Sequence, residues 1–188
     1  MGSVALFHSV YGLRPAVLGA AERLRTLGHE VVAPDLYGLP AVGTVEEGFA
    51  LAGKVGWEAV VGRGREAVRA LPPEAVLMGF SMGAGVVEAL LPERPHTNGV
   101  VMVAAAGGVD HAREGLRAQL HVADPDPEFV PAAAVGRWID GMARAGAVFE
   151  VYRYPGVGHL WVDEGLADYD CPAADRMWQR CAEFLRLS

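Results

Sequence analysis

The chain has 188 residues, 52% of them hydrophobic and 21% charged, enough for one globular unit with a sizeable core. A net charge of −7, with Lys54 the only lysine and the arginines scattered, excludes the clustered basic surface that nucleic-acid binding requires. No apolar run approaches the roughly 20 residues of a membrane span. The N-terminus, MGSVALFHSV, has no basic segment ahead of an apolar one, so neither a secretory leader nor a membrane partner is expected and the location expected is cytoplasmic.

Taken in chain order, short apolar runs alternate with amphipathic stretches. Most of the runs, at 4–9, 30–35, 75–80, 99–105, 118–123 and 147–154, read as continuous apolar segments, as in strands buried on both faces. Helical spacing marks 15–28, 57–71, 82–92, 132–146 and 173–187, with Gly28 and Gly146 as C-terminal stops. The glycine-rich stretch 37–56 has weak periodicity and reads as a loop with a short helix. The stretch 124–131 (DPDPEFVP) reads as a loop stiffened by three prolines. This alternation predicts an α/β fold with about six parallel strands, helices on both faces and right-handed crossovers, in a single domain over 1–188 without a separate lid domain. Cys171 and Cys181 fit neither a disulfide framework nor a zinc pattern, so reduced thiols are expected.

In such a sheet, functional groups gather beyond the C-terminal ends of the strands. Ser81, one of four serines, stands there between Gly79 and Gly83 in GFSMGAG, after the third strand. A hydroxyl is a weak nucleophile and needs a base, a group to orient that base, and donors for the oxyanion. Glycines at the flanking positions allow the sharp strand-to-helix corner that presents a nucleophile, and the helix start at Met82 brings N–H groups and a positive dipole end. Of six histidines, His159 in YPGVGHLW follows the sixth strand and is placed to serve as base. His121 falls inside a strand and reads as packed core. Asp126 and Asp124 follow the fifth strand, and Asp126, one step further into the loop, is the better candidate to orient the imidazole. The order Ser81, Asp126, His159 is that of α/β-hydrolases.

With these residues in view, the chain resembles the dienelactone hydrolase family over nearly its whole length. The resemblance is carried by FHSVYGLRPAV, GHEVVAPDLYG, GFSMGAG, HVADPDPEFVP and YPGVGHLW. It implies a trimmed α/β-hydrolase fold with spatial strand order 2-1-3-4-5-6. It implies oxyanion donation from the backbone N–H groups of Val10 and Met82, and catalysis without a metal or organic cofactor. Departures are equally readable: Ser81 replaces the family's cysteine nucleophile, Ser9 its first-loop glutamate, and Asp163 falls near its substrate-binding arginine. The expected activity is a serine hydrolase cleaving a small ester or lactone, as a monomer or homodimer. His8, Tyr11, Tyr37 and Trp161 are candidates to line a shallow pocket. The alternatives are a ligand-binding protein without turnover on the same scaffold, and a thioesterase or acyltransferase using the same triad.

Overall fold

The structure, a computed structural model, describes residues 2–108 and 110–186. Six strands form one parallel sheet: β1 (Ser3–Phe7), β2 (Glu30–Val32), β3 (Val76–Phe80), β4 (Val100–Val103), β5 (Arg117–Asp124) and β6 (Val148–Pro155), in the spatial order 2-1-3-4-5-6. The pairings put Val4 beside Val31 and Val76, Leu77 beside Val100, and Leu120 beside Val151. Side chains alternate across the sheet with the period of two that a strand dictates. Val4, Leu6, Val76, Met78, Val101 and Val103 face one layer. Ala5, Phe7, Leu77, Val100, Met102 and Leu120 face the other.

Two helices cover the first face: α1 (Pro15–Thr26) and α6 (Cys171–Arg186), through Leu24, Met177, Trp178 and Phe184. Four more are α2 (Val45–Val55), α3 (Trp57–Arg69), α4 (Met82–Leu90) and α5 (Ala132–Arg144). The last three bury Val60, Val68, Val87, Leu90 and Trp138 against the second face. Among the described residues no helix is long and apolar enough to cross a membrane. Cys171 is exposed and Cys181 buried, both unbridged. His121 lies in the core as expected, fully buried with Nδ1 2.9 Å from the Tyr154 hydroxyl and Nε2 3.1 Å from Gln119 Oε1.

The stretch 37–56 holds the expected loop and helix, but the helix is longer than expected: α2 runs for eleven residues and is followed directly by α3 after Gly56, whose φ is 83°. The cause is a capping box in TVEE: the Thr44 hydroxyl accepts from the Glu47 N–H at 3.2 Å while Glu47 Oε2 accepts from the Thr44 N–H at 3.2 Å. The apolar periodicity is weak because Gly48 is the only fully buried residue of α2. Leu187, predicted to end the last helix, lies outside the described residues.

One carboxyl outside the strand ends has a pH consequence. Glu88, on α4, is wedged against Gly107 and Gly108 with Oε1 unpartnered, and burial pushes its pKa up to about 7. The fold therefore favours the protonated form. As pH rises from about 4.5, where the unfolded chain gives up this proton, to about 7, stability falls, and the full cost is present above that. Glu88→Gln should raise Tm by about 2–4 °C at pH 8, roughly 1 kcal/mol after discounting for partial exposure, and by none at pH 4.5. Thermal melts of both proteins at the two pH values check this.

Candidate active site

At the C-terminal end of β3 the chain must turn sharply to begin α4. Ser81 makes that corner with φ 48° and ψ −111°, a conformation costly for a residue with a side chain. Its N–H is held by the Val103 carbonyl at 2.7 Å. The turn is possible only because the flanking positions are glycine. A Cβ on Gly83 would overlap Phe7 O and lie 2.8 Å from His8 O, and one on Gly79 would lie 2.5 Å from Ala84 N. Although Ser81 is the N-cap of α4, its hydroxyl caps no helix N–H; Oγ lies 3.0 Å from His159 Nε2.

His159 sits in the loop after β6. That loop is tied down on its inner side by Leu160 and Trp161, 3% and 0% exposed, and by the Leu160 N–H donating to Asp168 at 3.2 Å. Its Nδ1 lies 2.6 Å from Asp126 Oδ2, and the Phe129 ring is 4.3 Å from the imidazole. Asp126 is buried, and its other oxygen accepts the Phe129 N–H at 3.2 Å. With a carboxylate able only to accept, the proton resides on Nδ1 and the Nε2 lone pair faces the Ser81 hydroxyl. Asp124, the other candidate, is exposed, and its nearest cation is Arg153 at 3.9 Å. The three residues singled out in the sequence thus meet in one hydrogen-bonded chain, although 78 positions separate Ser81 from His159.

Ser81 and His159 open into a cavity of about 850 Å³ that Val10, Tyr11 and Met82 also line. As the first residue of α4, Met82 has an N–H with no intrahelical acceptor. Val10 lies in the turn after β1, where the Gly12 N–H returns to Ser9 O at 3.1 Å. Of the four candidate pocket residues, only Tyr11 lines this cavity. Trp161 faces inward instead and packs against Tyr154 with ring centres 4.8 Å apart, because the loop turns its apolar side chains under the sheet end.

His8 and Tyr37 are also corrected. Both are buried, in edge contact at 5.0 Å, beneath the Val10 turn. The His8 Nδ1–H donates to Ser9 O at 2.7 Å, and Nε2 accepts the Leu36 N–H at 3.0 Å. These two partners fix one neutral tautomer, and burial lowers the pKa of His8, which favours the same form. Ser9 O belongs to the same peptide unit as the Val10 N–H. The Tyr37 hydroxyl donates to Val10 O at 2.9 Å and touches Met82 Sδ at 3.1 Å, with burial pushing its pKa up to about 12. Two buried side chains therefore grip the peptides on either side of Val10.

Sequence reading missed the wall formed by Val45, Phe49, Ala52, Trp57 and Val60 from α2 and α3, together with Glu128 and Phe129 beside His159. The signal for the wall was the capping box at 44–47.

A parallel sheet in this order, with a strained serine between β3 and its helix, defines an α/β-hydrolase fold. The sequence matches the dienelactone hydrolase family model over residues 2–187, and the chain belongs to that family. Family membership supports a hydrolase. The fold is similar to that of a dienelactone hydrolase-like promiscuous phosphotriesterase from metagenomic libraries, with a TM-score of 0.81 and 19% identity over 100% of this chain and 87% of that one. It is also similar to the esterase Est2 of the Planctomycetes species Thermogutta terrifontis, with a TM-score of 0.65 and 18% identity over 98% and 80%. A phospholipase/carboxylesterase from Dyadobacter fermentans gives a TM-score of 0.61 and 16% identity over 84% and 82%. A comparison with curated protein sequences gives no match.

Proposed function

We propose that the protein is a serine hydrolase that cleaves a small carboxylic ester or lactone through an acyl-enzyme on Ser81. The observation that carries this reading is the relay Ser81 Oγ–His159 Nε2–Asp126, at 3.0 and 2.6 Å. Nε2 takes the hydroxyl proton as Oγ attacks the carbonyl carbon. The new negative charge falls on the carbonyl oxygen, to be held by the N–H groups of Met82 and Val10. Collapse of the tetrahedral intermediate breaks the bond to the leaving group, which receives the proton from Nε2. Water, deprotonated by the same nitrogen, then releases the acid and restores Ser81. Asp126 keeps the imidazole in the tautomer that this sequence needs.

A fluorophosphonate probe tests the nucleophile. Wild type is expected to be labelled and Ser81→Ala not; labelling that persists in the alanine variant would reject Ser81.

The grip on the Val10 turn gives Tyr37 a positioning role in the same reading. Tyr37→Phe leaves Val10 O buried without this donor and loosens the oxyanion site. It should lower kcat about tenfold with KM nearly unchanged, because the interaction acts only once charge has moved onto oxygen. Steady-state kinetics on p-nitrophenyl acetate reads the split; a rise in KM alone would assign Tyr37 to substrate binding.

A further inference from the structure

We propose that this site selects esters whose acyl part is uncharged and apolar, and rejects substrates that carry a carboxylate there. The inference rests on reading Ser81 as the nucleophile, and it follows from how that chemistry divides the cavity. His159 delivers its proton to the leaving group, so the leaving group must lie on the His159 side, against Phe129. The acyl group, bonded to Ser81, is thereby assigned to the wall built by α2 and α3, the apolar part of the same cavity. That wall presents Val45, Phe49, Ala52, Trp57 and Val60. Phe49 and Trp57 are 57% and 49% exposed, large apolar side chains left at the cavity edge with protein on one side only.

Among the described residues lining the cavity there is no lysine, arginine, asparagine, glutamine or threonine. A carboxylate carried into this wall would give up water and gain neither a cation nor a side-chain amide donor. The charged groups that do face the cavity are Glu46, Glu128 and Asp168, all acidic and all exposed. They add repulsion to the desolvation cost, and the chain as a whole carries a net charge of −7.

The nearest candidate for a compensating cation is Arg14, whose guanidinium lies 5.7 Å from the Tyr11 ring. It is already engaged: Nε donates to Asp163 at 2.7 Å and Nη1 to Val42 O at 3.1 Å. Burial raises the pKa of the Tyr11 hydroxyl first and Asp168 next, with Arg14 opposing and Glu46 and Asp163 adding. Three carboxylates thus stand with one arginine at this edge.

The test compares p-nitrophenyl hexanoate with the mono-p-nitrophenyl ester of adipic acid, which has the same acyl length and a terminal carboxylate. The kcat/KM ratio should favour hexanoate by about 100-fold in wild type. A ratio below about tenfold, or a reversed one, overturns the proposal. Glu46→Arg, an exposed change on α2, should raise kcat/KM for the adipate ester at least about fivefold relative to hexanoate. An unchanged ratio would overturn the assignment of this wall to the acyl group. Fluorophosphonate labelling separates the two levels of the argument. Labelled protein that turns over neither ester overturns the substrate class alone. Unlabelled, inactive protein overturns the nucleophile reading and the proposal with it.

Discussion

Asp126→Asn should lower kcat on a p-nitrophenyl ester by about 10⁴-fold, while Asp124→Asn stays within about twofold of wild type. The asymmetry follows from what each oxygen of Asp126 does. Oδ2 faces His159 Nδ1 at 2.6 Å and Oδ1 accepts the Phe129 N–H at 3.2 Å. An asparagine has only one oxygen to offer these two donors. If the oxygen faces Phe129, the amide N–H₂ faces Nδ1 and forces the imidazole proton onto Nε2, where it can no longer accept from Ser81. If it faces His159, the amide meets the Phe129 N–H donor to donor and the loop must move. The first arrangement disables the base and the second displaces the loop that orients it, in both cases without emptying the space. Asp124 is exposed, 3.9 Å from Arg153, and touches nothing in the relay. Parallel steady-state kinetics on the two variants decide the matter; equal losses, or a larger loss at position 124, would remove Asp126 from the role.

Gly79→Ala and Gly83→Ala should each cost more than about 3 kcal/mol, lowering Tm by roughly 6–12 °C or preventing soluble expression. The added methyl group has nowhere to go, because what it meets is backbone. At Gly83 it would lie 2.7 Å from Phe7 C, in the β1 strand end, and at Gly79 it would lie 2.5 Å from Ala84 N. Movement of either segment would displace the parallel pairing of Phe7 with Gly79 that brings the two strand ends together. Gly85 provides the contrast. A methyl group there meets the Trp57 ring at 3.2 Å, a side chain at the cavity edge that can shift. Gly85→Ala should therefore stay within about 1 kcal/mol of wild type in the same thermal or urea denaturation series.

Much of this architecture was legible in the residues because its causes are local. Runs such as VLMGF and VVMV are apolar throughout, which only a strand covered on both faces tolerates, and VLMGF is followed by the helical pattern of α4. The strand order came from family resemblance, since pairing partners leave no mark on a single strand. Ser81, Asp126 and His159 could be found because each directly follows a different strand, and that is where a parallel sheet concentrates chemistry. The pocket was harder to read. Trp161 stands two residues beyond His159 and an indole there is plausible on either side of the loop; the direction is set by packing against Tyr154, across a loop whose path the residues do not reveal. His8 and Tyr37 were located near the right place and given the wrong surface to face. They act from beneath the turn, where only three-dimensional contact with Ser9 O and Val10 O reveals them. The helix at 45–55 was expected only as a short one without bounds, because its glycines dilute an apolar stripe that is in any case narrow.

That narrow stripe has a consequence of its own. Gly48, the one fully buried residue of α2, sits so close to Val10 that an added Cβ would lie 2.8 Å from the Val10 carbonyl oxygen. Elsewhere Leu51, Ala52 and Val55 pack half-buried on the core, Glu47 closes the capping box and Gly56 holds a positive φ, while Glu46, Phe49 and Trp57 stand exposed like a parapet along the cavity. Changes at those three positions should leave the folding of the sheet undisturbed, whereas a change at position 48 cannot. Selectivity and robustness thereby become separate traits, and libraries confined to Glu46, Phe49 and Trp57 can diversify one at little expense to the other.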